Sequence, residues 1–166
     1  MKKVPITNYI QTVYPIIEHI LYNIAVYRTI ISRIKSADDG LIENPEQRDF
    51  WVNISNNAIQ MAITDWCKVF GSERDNPFHC RKHLDFIVDE QIGEPMIRFR
   101  NKFIAHKTNV AVPVPMLDGA LDEVYCFDQK IREQYDLDGY QELKGRYETY
   151  KIRIEDLMDQ YEITKI

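Results

Sequence analysis

The apolar pattern of residues 8–35 constrains the fold more than any other feature of the chain. Ile10, Val13, Ile17, Ile20, Ile24, Tyr27, Ile31 and Ile34 recur in alternating three- and four-residue steps. That spacing places them on one stripe of a helix, which must be covered by other helices. Pro15 falls inside the segment, so the helix either starts there, with Pro in its first turn, or kinks. Ser36-Ala-Asp-Asp-Gly40 ends it.

The remaining segments repeat the helical period. A second helix is expected from Pro45, suited to a first turn, to Phe70, with Trp51, Ile54, Ala58 and Met61 inward and Gly71 as a left-handed closing residue. A third is expected from Phe78 to about Ile92. Gly93-Glu94-Pro95 punctuates, and a fourth runs to about Lys107. Val112-Pro-Val-Pro115 reads as an extended connector, because each Val precedes a Pro. A fifth helix follows to about Gln134, with Leu121, Val124, Tyr125 and Ile131 inward. The last spans about Tyr140 to Ile163, with Leu143, Tyr147, Tyr150, Ile154, Leu157 and Tyr161 in register. Little reads as strand. The expected fold class is all-α: one domain over residues 1–166, an up-and-down bundle of five or six helices.

Composition narrows the function. A length of 166 residues suits one domain with a real core. A net charge of −5 argues against a protein that coats nucleic acid generally, but leaves room for a small basic site. No apolar run is as long as a membrane span, and Met-Lys-Lys is not followed by a signal-peptide core. Cys67, Cys80 and Cys126 are odd in number and irregularly spaced, which suggests reduced thiols and a cytoplasmic location.

Against that acidic background, Arg98, Arg100, Lys102 and Lys107 are four cations in ten residues with no acid between them. His106 stands among them. Arg holds phosphate and His moves protons near neutral pH. On a wheel of about 100° per residue, Met96, Ile97, Phe99, Phe103 and Ile104 form an apolar arc, opposite Arg98, Asn101, Lys102 and Ala105. Arg100 falls inside the apolar arc and His106 at its edge. A guanidinium there needs a partner, and Asp65 is one candidate. Six residues of helix separate Arg100 from His106 by about 9 Å of rise and about 120° of rotation. A compact site therefore forms more readily across a two-fold axis, from Arg100 of one chain and His106 of another.

Each of these residues also has a plainer reading. His106 can be a helix-end imidazole at the negative pole of the dipole, Arg100 a structural ion pair, and Lys102 and Lys107 a solvated face. His79 and His83 sit at ligand spacing, but a full ligand set is missing, so no metal is assigned. No Gly-rich phosphate loop or Ser-His-Asp ordering appears, and no cofactor is expected.

Arg100-Asn101, four residues and then His106 resembles the signature of the HEPN superfamily (higher eukaryote and prokaryote nucleotide-binding). Asn57-Ala-Ile-Gln-Met-Ala-Ile-Thr-Asp-Trp-Cys-Lys-Val-Phe-Gly-Ser72, Arg100 to Thr108 and Val112-Pro-Val-Pro-Met-Leu-Asp118 are similar to the U-type abortive-infection branch. The resemblance covers roughly residues 45–135. It implies a helical bundle that dimerises across its motif helices and, in active members, cuts RNA without a metal, as a toxin or phage-defence effector. His106 would then be the general acid or base at a ribose 2′-hydroxyl. Arg100 would hold the scissile phosphate, and Asn101 would orient the His or the phosphate. The product would be a 2′,3′-cyclic phosphate. Arg98, Lys102 and Lys107 would contact RNA. An antitoxin or inhibitor protein is a possible partner. The alternative is a non-catalytic module that binds a nucleotide or a protein with the same basic helix.

Overall fold

The computed structural model describes residues 6–36, 45–74, 76–105, 113–135 and 142–163. Among them are six α-helices: α1 (Ile6–Lys35), α2 (Pro45–Phe70), α3 (Cys80–Leu84), α4 (Glu90–Phe99), α5 (Leu117–Gln134) and α6 (Leu143–Ile163). A π-helix, Arg100–Ala105, continues α4 directly. No strand occurs among the described residues. The protein is an all-α bundle.

α1 is the central helix. Its Ile10, Val13, Ile17, Ile20 and Ile24 are buried, as the three-four stripe requires. Burial extends further, to Tyr9, Tyr14, Leu21, Ala25, Val26 and Ile30. The reason is that α1 packs on α2, α6 and α5 rather than on one neighbour. Burying each large aliphatic side chain contributes about 1.5–3 kcal/mol. Pro15 neither starts nor ends the helix. It is exposed, and so is Gln11, whose carbonyl the missing N–H frees.

Side-chain bonds fix the helix directions. Tyr9 donates to the Phe78 carbonyl and His19 pairs with Asp65, so α1 and α2 are antiparallel. Tyr14 donates to Asp128 and Arg28 to Asp118, so α5 is antiparallel to α1 as well. Arg146 pairs with Glu18 and Arg33 with Asp159, so α6 runs parallel to α1. This is the alternation of an up-and-down bundle.

Several local expectations are corrected. The helix expected over 78–92 is broken: α3 ends at Asp85, which is left-handed at φ 50, and α4 begins after Asp89. Asp89 caps α4 by accepting from the Gln91 N–H at 2.8 Å. Gly93 and Pro95 then lie inside α4 instead of separating two helices. Gly93 is tolerated because it is buried near Trp66, and Pro95 because the carbonyl it frees belongs to exposed Gln91. Gly71 is not left-handed. Its N–H bonds the Cys67 carbonyl at 3.2 Å, and a Cβ there would meet that oxygen at 2.5 Å. Met61 and Leu157 face outward, and Ala62 and Met158 take the inner positions. In both cases the inward step is four residues rather than three. The onset expected at Tyr140 and the side chain of Tyr161 lie outside the described residues.

Candidate functional site

The motif segment is built by α4 and the π-helix. Met96 and Phe99 are buried and Ile97 is packed against the core, so the described part of the apolar arc faces inward. Arg98, Asn101 and Lys102 are exposed, on the side assigned to them. Arg100 is half-buried, as its place in the arc demands. The side chains of Phe103, Ile104 and Ala105, and all of His106 and Lys107, lie outside the described residues. So does the separation of Arg100 from His106.

The turn that carries the motif is π rather than α. Its i→i+5 bonding places more residues in each turn, so a 100° wheel does not apply across residues 100–105. π segments within helices recur at functional sites. The expected spread of about 120° between Arg100 and His106 rests on an α geometry that this segment does not adopt.

Arg100 has found a different partner from the one anticipated. Its Nε and Nη2 both donate to the Asn101 side-chain oxygen, at 3.0 and 2.7 Å. Asn101 therefore tethers the guanidinium. Asp65 is instead occupied by His19 Nδ1 and by Lys68 Nζ, each at 2.5 Å. Burial pushes the Cys67 thiol up to about 11, against an opposing pull from the Arg100 charge. The π-helix that begins at Arg100 packs on α2, in which Cys67 is buried.

A depression of about 620 Å³ runs along the motif helix, lined by Glu94, Pro95, Ile97, Arg98 and Pro113. Arg98 places a cation in it and Pro113 begins the extended connector. A second hollow of about 340 Å³ shares Glu94 and Ile97 with the first and is bordered by Arg81, Glu73 and Asp89.

His79 and His83 are structural. His79 is buried; its Nε2–H donates to the Gly71 carbonyl at 2.8 Å, and Nδ1 accepts from the Arg81 N–H at 3.2 Å. Burial lowers its pKa, which keeps the ring neutral in the tautomer those bonds require. His83 Nε2 bonds the Pro77 carbonyl at 2.8 Å, and its ring stacks on Tyr9 with centroids 3.9 Å apart. The i, i+4 spacing of the two therefore builds the α3 corner. Among the described residues, no three potential ligands gather to hold a metal. Cys67 and Cys80 are buried, Cys126 is exposed, and all three are free thiols. Burial pushes the Cys80 thiol up to about 12. No helix among the described residues is long and apolar enough to cross a membrane.

Sequence reasoning missed His19. It lies off the apolar stripe of α1, and its partner Asp65 is 46 residues away. A lone His in an apolar period carries no signal of its own; only the helix pairing reveals it. Compared with known protein families, with curated proteins and with solved structures, the chain matches none.

Proposed function

We propose that the protein is a metal-independent endoribonuclease of a toxin or phage-defence system, acting as a homodimer through Arg100 and His106. The observation that carries this reading is the state of Arg100. Arg100 is half-buried as a residue, and its guanidinium is held by its neighbour Asn101 in an exposed contact on a π turn, with exposed Arg98 and Lys102 beside it. Such a group is set in place before an anion arrives, which is what stabilising charge at a transferring phosphate requires. In this reading Arg100 binds the scissile phosphate, His106 takes the 2′-hydroxyl proton, and the 2′-oxygen attacks phosphorus. The 5′-oxygen leaves, and a 2′,3′-cyclic phosphate results. Arg98, Lys102 and Lys107 hold neighbouring phosphates.

A second reading is a non-catalytic module that holds a nucleotide or an antitoxin. The depression beside Arg98 favours it, since that hollow is large enough for a small ligand. One digestion separates the two. Mixed RNA incubated with the protein in EDTA is expected to give fragments ending in 2′,3′-cyclic phosphate, and none with His106→Ala. Intact RNA after incubation with folded, dimeric protein would favour the binding module.

A further inference from the structure

The connector between α3 and α4 holds an isoleucine in water. Ile87 is 73% exposed, although the chain is anchored on both sides of it. Phe86 before it is buried, with its ring 6.1 Å from that of Phe70 and 5.4 Å from that of Phe127. The Phe86 carbonyl accepts from Cys80 Sγ at 3.6 Å, and the Asp85 carbonyl from Lys130 Nζ at 3.1 Å. After it, the Asp89 N–H donates to buried Glu123 at 2.8 Å. An apolar side chain on an anchored backbone is ordered before a partner arrives, which lowers the cost of binding.

The hollow of about 340 Å³ opens beside this residue. Phe86, Ile87, Val88 and Ile97 give it apolar walls. Its charged lining is one-sided. Glu73, Asp89, Glu90 and Glu94 contribute carboxylates, against the single guanidinium of Arg81, which already pairs with Glu73 at 3.7 Å. His79 also lines the hollow, and its burial favours the neutral ring.

These features select a peptide as the occupant. Among the described residues, the backbone of Ile87 and of Val88 makes no hydrogen bond. Their N–H and C=O groups are therefore left to water or to a partner's main chain. The walls then set the partner's side chains: apolar against Ile87 and Val88, cationic against the carboxylates. The same carboxylates repel phosphate, so this end of α4 differs in kind from the end that carries exposed Arg98.

We propose that this hollow docks a peptide segment of a partner protein, with an apolar side chain seated against Ile87 and Val88 and Lys or Arg on either side of it meeting Glu90 and Glu94. Ile87 supplies the buried anchor of the contact. The carboxylates supply its selectivity for a basic segment and its dependence on salt. None of the motif residues takes part, so the docking site stands or falls apart from the ribonuclease reading.

The test uses three fluorescein-labelled peptides: Lys-Arg-Leu-Phe-Lys-Arg, the same with Ser in place of Leu and Phe, and the same with Glu in place of Lys and Arg. Fluorescence anisotropy measures binding to the full chain, and backbone amide NMR shifts locate it. We expect the first peptide to bind and to shift Ile87, Val88 and Gly93, and the other two to bind more weakly by about tenfold or more. Ile87→Ser is expected to weaken the first peptide by about tenfold through loss of the apolar anchor. Glu90→Gln with Glu94→Gln is expected to weaken it by about tenfold at low salt and by less at high salt. All three positions are exposed, so thermal melts should match wild type, and Ile87→Thr serves if the Ser variant melts early. Equal binding of the Ser-containing peptide, shifts confined to another surface, or wild-type affinity in either folded variant would overturn the proposal. So would a failure of the first peptide to bind. A dimer in sedimentation that Ile87→Ser dissolves would also overturn it, because the hollow would then belong to a second copy of the chain.

Discussion

Arg100 and Asn101 show how a sequence neighbour can serve as a tether. Both guanidinium bonds converge on one amide oxygen, so Asn101→Ala frees the side chain without removing its charge. We expect kcat/KM for RNA cleavage to fall in Asn101→Ala, and to fall further, by about a hundred- to a thousand-fold, in Arg100→Ala, measured with a short oligoribonucleotide. Equal activity in the wild type and Asn101→Ala would deny the tether a role. Partial burial of Arg100 was legible from the helix wheel, because Met96 and Ile97 bracket it on the inner face. Its partner was not. The choice between Asn101 and Asp65 depends on His19 and Lys68 having already claimed the carboxylate, and that is decided by how α1 lies on α2. Glu123 makes the same point in the core. It is buried and accepts from the Asp89 N–H at 2.8 Å, fixing the entry to α4. Burial raises its pKa, so the folded protein binds this proton more tightly than the unfolded chain. Stability is therefore lost as pH rises from the ordinary glutamate value through the raised one. We expect Glu123→Gln to melt above wild type at pH 7, with the gap closing below pH 4, in paired thermal scans.

Among the elements, α4 and its π extension depart furthest from what periodicity suggests. The period-based division at Gly93-Glu94-Pro95 fails because both breakers sit where their defects are harmless: Gly93 against Trp66, Pro95 above a solvent-facing carbonyl. The true division lies at Asp85 and Asp89, where a left-handed residue and a cap act together. Two glycines test this account in opposite directions. A methyl at Gly93 would meet Val88 at 3.5 Å and Trp66 at 3.9 Å, which is ordinary contact. Gly93→Ala is expected to raise stability by about 0.5–1 kcal/mol through lower unfolded-state entropy. A methyl at Gly71 would meet the Cys67 carbonyl at 2.5 Å. Gly71→Ala is expected to lower stability by about 1–3 kcal/mol. Urea denaturation of both variants reads the signs, and a destabilised Gly93→Ala would contradict the packing described for α4.

For the whole molecule, the bundle places chemistry at the seams between helices. α1 is covered by three neighbours, so most of its surface is core, and several of its half-exposed residues reach across a seam: His19 to Asp65, Glu18 to Arg146, Arg28 to Asp118. The inner faces of α1 and α5 followed from period alone, because these helices are long and regular. The seams did not, since periodicity says which face is buried but not which neighbour buries it. The proposed active unit is larger still, with Arg100 and His106 contributed by two chains. Mixing two inactive variants addresses this most directly. Arg100→Ala and His106→Ala proteins are unfolded together, refolded at equal concentration and assayed on RNA in EDTA. Half of the dimers are then mixed, each with one intact site of two, so we expect about a quarter of wild-type cleavage to return. A mixture that stays inactive beside an active, identically refolded wild type would contradict the composite site.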